Sequence, residues 1–378
     1  MQQEYLGFGA VSNLKEILSN HNPKHIFLVT GKDSYEGCGA KQIINKIISD
    51  YNAVHFNDFE TNPKLKDIEH GIKLFKENKC DFVIAVGGGS VIDVAKSINI
   101  FSSNSGEPIE YIKNQKIIEN KGKTLVAIPT TSGSGAEATH FAVVYIDKTK
   151  YSLAHEFMLP DYAIVDYQFT ISLPKSQTAS AGMDALSQGI ESYWCINSTD
   201  ESKKYAKEAI KLAMQNLANA ANRPLDKSRE AMAKAAHLAG KAINISKTTA
   251  CHAISYPMTS YFNIPHGHAV ALTLARMLAY NLQVAEGDIS DKRGVDYVKR
   301  TIMEIINLIG AETSEEASKK IINLMKNIGL GTRLSEVGIK TDKDIEIIIK
   351  NGFNPDRVKN NPRKLTEEAL RKILEHIR

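Results

Sequence analysis

The chain has 378 residues, 43% hydrophobic and 24% charged, an ordinary globular composition with enough length for two separate cores. Its 47 basic and 43 acidic residues are scattered in both signs, so a net charge of +4 leaves no electrostatic footprint for nucleic acid. The opening "MQQEYLGFGAVSNL" has neither a basic nor an apolar leader region, and no window of 18 or more apolar residues occurs, so a cytoplasmic protein without a membrane segment is expected.

Through residue 167 short apolar runs alternate with helix-period segments. Strands are predicted at "HIFLVTG" (25–31), "AVHFNDF" (53–59), "DFVIAVG" (81–87), "TLVAIPT" (124–130) and "YAIVDY" (162–167), with helices near 37–50, 64–79 and 90–102. A hairpin is predicted at 141–156. The alternation implies an α/β domain with a mostly parallel, Rossmann-like sheet over residues 1–173. From 174 to 378 the period is helical throughout, with breaks expected at Pro224, Pro257, Pro265, Gly310, the "GLG" at 329–331 and Pro355, so the second domain reads as all-α. Cys38, Cys80, Cys195 and Cys251 form no CxxC pair and are expected to be reduced and mostly buried.

Six stretches have the residue types for chemistry. "VGGGSVIDVAK" (86–96) follows a strand and opens a helix, as a phosphate cradle would, although such glycines also serve as plain turns. "PTTSGSGAE" (129–137) is a second small-residue loop after a strand, and the two together favour a shared phosphate crevice. Gly31 ends the first predicted strand where an acid would bind the ribose of NAD. Lys32 and Ser34 follow it instead and suit a 2′-phosphate, which leans toward NADP; the alternative is a solvated loop. On one helix, "GMDALSQGIESYW" (182–194) sets Asp184 and Gln188 four residues apart on one face. "ACHAISYPMTSYFNIPHGHAVAL" (250–272) holds His252, His266 and His268. Each imidazole alone reads as a satisfied core residue, but with Asp184 and Gln188 the set suits a divalent Zn(II) or Fe(II). Just upstream, Ser246, Lys247, Thr248 and Thr249 make either an anion pocket or a helix cap with a solvent-facing lysine.

"GGGSVIDVAK", "PTTSGSGAE", "LPDYAIVD", "GMDAL", "HAISYP" and "PHGHA", in that order over nearly the whole chain, resemble the iron-containing (group III) alcohol dehydrogenases. The resemblance implies a dinucleotide-binding domain and a helical domain in a dehydroquinate synthase-like architecture, with metal and substrate in the cleft between them. It puts the pyrophosphate at Gly88, Gly89 and Ser90, further cofactor contacts at Thr130, Thr131, Ser134 and Lys150, and Asn62 near the adenosine side. The family's metal ligands fall on Asp184, Gln188, His252 and His266, with glutamine standing where the family usually has histidine. Tyr256 likewise replaces a histidine that many members carry near the nicotinamide, which leaves Tyr256 or His268 as the proton donor.

The details around both helical motifs resemble the phosphonoacetaldehyde reductase branch. That implies NAD(P)H-dependent reduction of a phosphonate-bearing aldehyde to a primary alcohol, with NADP favoured over NAD, in a homodimer. Lys247 and its hydroxyl neighbours, then Arg276, are the candidate partners of the phosphonate. Rival readings are a general alcohol or semialdehyde dehydrogenase, a cyclase or lyase resembling dehydroquinate synthase, and a nucleotide-binding relative whose metal site decayed at Gln188.

Overall fold

The structure is a computed structural model that describes residues 2–353 and 358–378; the break expected at Pro355 lies outside the described residues. The chain forms two compact units, Met1–Leu173 and Pro174–Arg378.

The first unit is built on a parallel sheet of β1 (Gln3–Leu6), β2 (His25–Thr30), β3 (Asn52–Phe56), β4 (Phe82–Gly87), β5 (Thr124–Pro129) and β8 (Tyr162–Val165), in the order β1-β8-β5-β4-β2-β3. Its longer helices are α1 (Asn13–His21), α2 (Ala40–Ile47), α3 (Leu65–Glu77) and α4 (Gly89–Ser102). Because helices cover both faces, the central strands bury successive residues on alternate sides, and this is why they read as unbroken apolar runs. Phe27, Val29, Val83 and Ala85 enter one core, while Ile26, Leu28, Ile84 and Val86 enter the other. The predicted hairpin forms as β6 (Phe141–Ile146) and β7 (Thr149–Ala154), paired antiparallel in a sheet of their own. Among the elements that escaped the sequence reading are the four-residue edge strand β1, helix α1 and a short helix at Pro108–Ile112.

From β2 the chain moves outward to β3, then returns across β2 to β4. The order therefore reverses between β2 and β4, which pair in parallel with Thr30 opposite Val86. In open α/β sheets the crevice outside the strand C-termini at this reversal is where ligands bind. Gly31 and the Gly87–Ser90 turn lie at those two ends.

The second unit is helical: α5 (Lys175–Trp194), α6 (Asp200–Asn222), α7 (Asp226–Ser246), α8 (Ala250–Phe262), α9 (His266–Leu282), α10 (Val295–Leu308), α11 (Ser314–Asn327), α12 (Asp342–Gly352) and α13 (Glu367–His376). Helix α5 is central, with 0–8% exposure at nearly every position from Thr178 to Trp194. Pro257 does not break the chain as expected but sits inside α8. A helix tolerates the missing N–H where packing from neighbours holds both flanking turns, and here Gly352 of α12 lies against Ile254 and Pro257. The reversal comes instead at Asn263, in left-handed conformation with φ of 55°, followed by Pro265 at the start of α9. No described helix is long and apolar enough to cross a membrane.

Candidate dinucleotide and metal sites

In the first unit the two small-residue loops touch. A Cβ on Gly88 would stand 3.3 Å from the Thr131 side chain, and one on Gly89 would stand 2.7 Å from Ser134 Oγ, so the crevice between the loops stays open only to glycine. Gly88 caps α4 with no side-chain cap, its carbonyl accepting from the Val91 N–H at 3.0 Å, and the N–H groups ahead of Val91 carry the positive end of the helix. Thr130 is buried, its N–H donating to the Gly87 carbonyl at 3.0 Å. Asn62, in left-handed conformation with φ of 63°, brings its backbone N–H to 3.4 Å from Ser90 Oγ. Gly31, Asn62, Gly88, Gly89, Ser90, Thr131 and Ser134 thus gather around the switch point. Lys150 lies on β7 opposite Tyr145, near enough to act on the charge of Asp93.

Lys96, the last residue of the quoted glycine motif, was not singled out from sequence. It is 1% exposed, and its ammonium donates to the carbonyls of Ala136 at 2.6 Å, Thr139 at 2.6 Å and Phe141 at 2.9 Å. With Thr139 Oγ1 as a fourth acceptor at 3.2 Å, these bonds fasten the second loop to α4, the helix that carries the first. Burial lowers its pKa to about 8, partly offset by Asp93 and Glu137; burial likewise raises Asp93 to about 6 against the pull of Lys96 and the Val143 N–H.

The Lys32 ammonium stands 3.6 Å from the Asp58 carboxylate just beyond β3, so the cation assigned to a 2′-phosphate already has a counter-ion. Ser34 opens a short helical turn, with its Oγ 2.2 Å from where a Cβ on Gly31 would be.

In the second unit, α5 presents Asp184, Gln188 and Glu191 on one face by their spacing of four and then three. Asp184, His252 and His266 each offer a ligand atom within 4.8 Å of the others', close to the spread of donors about 2.1 Å from a common ion. Gly267 makes this approach possible: a Cβ there would lie 2.0 Å from the Ser180 carbonyl and 2.8 Å from Asp184 Cβ. Without a side chain, the start of α9 closes on α5 and sets His266 beside Asp184.

Gln188 Oε1 is fully buried with no hydrogen-bond partner among the described residues, an arrangement that costs about 1–3 kcal/mol unless a donor or a cation engages its lone pairs. A cation can do so. The residues therefore fit a divalent ion held by Asp184, His252, His266 and the Gln188 oxygen. Burial opposes charge on His252, yet Glu191 and Asp184 outweigh it and raise the imidazole to about 10, so the pocket's field favours a positive occupant.

Glu191, also missed from sequence, organises the site from behind. It is 0% exposed; one oxygen accepts from Thr249 Oγ1 at 2.6 Å and the Cys251 N–H at 2.8 Å, while the other holds His252 Nδ1. That contact places the proton on Nδ1 and leaves Nε2, 3.3 Å from Asp184 Oδ1, as the donor toward a metal. The signal was present in the spacing 184, 188, 191.

The structure does not assemble the expected hydroxyl pocket. Ser246 is 0% exposed and its hydroxyl bonds Ser192 Oγ at 2.7 Å, while Thr249, equally buried, is spent on Glu191 and on Trp194 Nε1 at 2.9 Å. Thr248 is buried, and its carbonyl accepts from Asn360. Of that group only Lys247 is exposed, and it holds a φ of 71° between α7 and α8. Such a backbone costs a lysine free energy and collects at functional positions. Arg276 is ten residues beyond His266 on α9, about 15 Å along the axis, and so is not a partner for a substrate at the donor cluster. His268 is also corrected: its Nε2 bonds the Gly331 carbonyl at 2.7 Å and burial holds the ring below the usual histidine range, so it braces α9 rather than donating a proton. Tyr256 remains, its ring stacked on His266 with centroids 6.2 Å apart.

The families described as "Iron-containing alcohol dehydrogenase" and "Fe-containing alcohol dehydrogenase family, C-terminal" match residues 2–167 and 178–378. The chain belongs to the iron-containing alcohol dehydrogenases. It is 30% identical over 376 residues to a long-chain-alcohol dehydrogenase of Geobacillus thermodenitrificans, covering 98% of this chain and 94% of that one. With a phosphonoacetaldehyde reductase of Streptomyces viridochromogenes it shares 33% identity over 305 residues, 78% of this chain and 76% of that one. Among solved structures, a sulfoacetaldehyde reductase from Bifidobacterium kashiwanohense in complex with NAD+ superposes with a TM-score of 0.88 at 29% identity, covering 100% of this chain and 96% of that one. Membership makes the chain a nicotinamide- and metal-dependent oxidoreductase interconverting alcohols and aldehydes.

Proposed function

We propose that this alcohol dehydrogenase reduces a small aldehyde bearing an oxyanion, with phosphonoacetaldehyde as the leading substrate and 2-hydroxyethylphosphonate as product. The observation that carries the metal-centred reading is the buried cluster of Asp184, His252 and His266 with the partnerless Gln188 oxygen beside it. Two proteins to which the chain is similar are named for two-carbon aldehydes with a phosphonate or sulfonate head group, which supports the substrate class.

Asp184 would neutralise charge, and His252, His266 and Gln188 would complete the ligand set. When bound, Fe(II) or Zn(II) supplies Lewis-acid polarisation of a carbonyl, and the dinucleotide supplies the hydride. The chain's own residues do the rest. Gly88, Gly89, Ser90, Thr131 and Ser134 receive the pyrophosphate, aided by the α4 N-terminus. Glu191 sets the His252 tautomer. Tyr256, stacked on His266, is the proton donor to the alkoxide oxygen. Lys247 pairs with the phosphonate, a dianion that needs a cation wherever it leaves bulk water. The cofactor is read as NADH as readily as NADPH, because Asp58 offers the ribose-binding acid that sequence alone did not place.

The test is NAD(P)H oxidation after anaerobic reconstitution with each metal, using phosphonoacetaldehyde beside acetaldehyde and butanal. A kcat/KM at least tenfold higher for the phosphonate aldehyde is expected. Lys247→Ala should raise KM for it by about tenfold or more and leave the neutral aldehydes unchanged, as one charge-assisted contact is worth about 1.5–3 kcal/mol. Activity on neutral aldehydes alone would defeat the substrate assignment and keep the family chemistry.

A further inference from the structure

A cavity of about 680 Å³ opens between α9 and α13, with Arg276 and Tyr280 on one wall and Lys372, Ile373 and His376 on the other. Spacings of four put Arg276 and Tyr280 on one face of α9, and Lys372 and His376 on one face of α13. The acids in the lining are already matched: Asp288 takes Arg363 at 2.7 Å and Glu368 takes Lys372 at 2.6 Å. Arg276 and His376 have no acid within ion-pair distance among the described residues, and Arg333 acts on both as a further positive charge. Glu336, the acid that feels Arg333, is occupied by the backbone N–H groups of Thr332 and Arg333.

The frame around these charges is fixed. Arg363 donates to the Tyr280 carbonyl at 2.8 Å and stacks 4.1 Å from the centre of its ring, and the Tyr280 hydroxyl donates to the Lys364 carbonyl at 2.6 Å. Like charges held together in a concavity raise the free energy unless an anion joins them, and a guanidinium fork matches phosphate oxygens. The Tyr280 ring, Ala369 and Ile373 give the same cavity an apolar floor.

We propose that this groove is a second ligand site, separate from the metal cluster, that binds a small organic phosphate monoester with Arg276 as its principal anchor. The proposal does not depend on the substrate assigned above.

The experiment is calorimetric titration of metal-loaded protein, saturated with NADH so that the dinucleotide crevice is filled, using phenyl phosphate, phenol and inorganic phosphate. Phenyl phosphate should bind with 1:1 stoichiometry and phenol should not. Arg276→Gln should weaken phenyl phosphate by at least tenfold, Arg276→Lys by less, and Lys247→Ala should have no effect; thermal melts establish that each variant folds. Affinity unchanged in Arg276→Gln, or lost in Lys247→Ala instead, would overturn the site. Inorganic phosphate binding as tightly as phenyl phosphate would overturn the ester assignment.

Discussion

Replacing Glu191 by glutamine is nearly isosteric, yet it should loosen the metal centre without breaking the fold. The carboxylate now accepts from three donors: Thr249 Oγ1, the Cys251 N–H and His252 Nδ1. An amide offers one oxygen and one NH2. The less costly orientation keeps the oxygen on Thr249 and Cys251, which turns the NH2 toward His252. Nδ1 must then accept, the imidazole proton moves to Nε2, and the nitrogen 3.3 Å from Asp184 loses the lone pair a metal needs. Disturbing such an outer partner typically lowers metal affinity 10–100-fold, about 1.4–2.8 kcal/mol. The assay is anaerobic competition for Fe(II) and Zn(II) against a chromogenic chelator, with the metal-free melting temperature measured in parallel. Glu191→Asp, which keeps an acceptor, should lose less than Glu191→Gln. Equal affinity in wild type and Glu191→Gln would refute the tautomer argument, and so would a loss of affinity matched by collapse of the metal-free protein.

Three further outcomes follow from the same geometry. Gln188→His exchanges an amide oxygen for a better nitrogen donor and should tighten Zn(II) by about tenfold in that chelator assay; indifference would mean that position 188 is not a ligand. Asp58→Ser removes the counter-ion of Lys32 and should shift the NADPH-to-NADH ratio of kcat/KM toward NADPH by about tenfold, measured by absorbance at matched aldehyde concentration. Asp93 has its pKa raised to about 6 by burial, so the native state keeps a proton that the unfolded chain releases near 3.8. The stability this protonation contributes is complete below the unfolded value and is lost as pH rises through about 6. In denaturant titrations, wild type relative to Asp93→Asn should therefore lose roughly 2 kcal/mol between pH 4 and pH 7.

What the sequence disclosed and what it hid divide along one physical line. The four central strands β2, β4, β5 and β8 were legible because a parallel sheet buried on both faces needs unbroken apolar runs, and Asp184, His252 and His266, each an ordinary residue when taken alone, were legible only as a set and through the family resemblance. Neither signal depends on which way a side chain points. Ser246 and Thr249 were misread because a hydroxyl beside a lysine looks the same whether it faces a substrate or an interior carboxylate, and only packing against α5 decides it. Glu191 hid for the converse reason, since an acid on a helix is ordinarily solvated. Its complete burial beside His252 is a tertiary fact, although the interval of seven from Asp184 put it on the ligand face. Arg276 shows the same limit at longer range. Its charge suggested a phosphonate, but the rise of the helix that starts at His266 carries it to a different cavity. An acid two helical turns from a candidate metal-binding acid is therefore a better sequence signal for the support of such a site than polar residues crowded beside it.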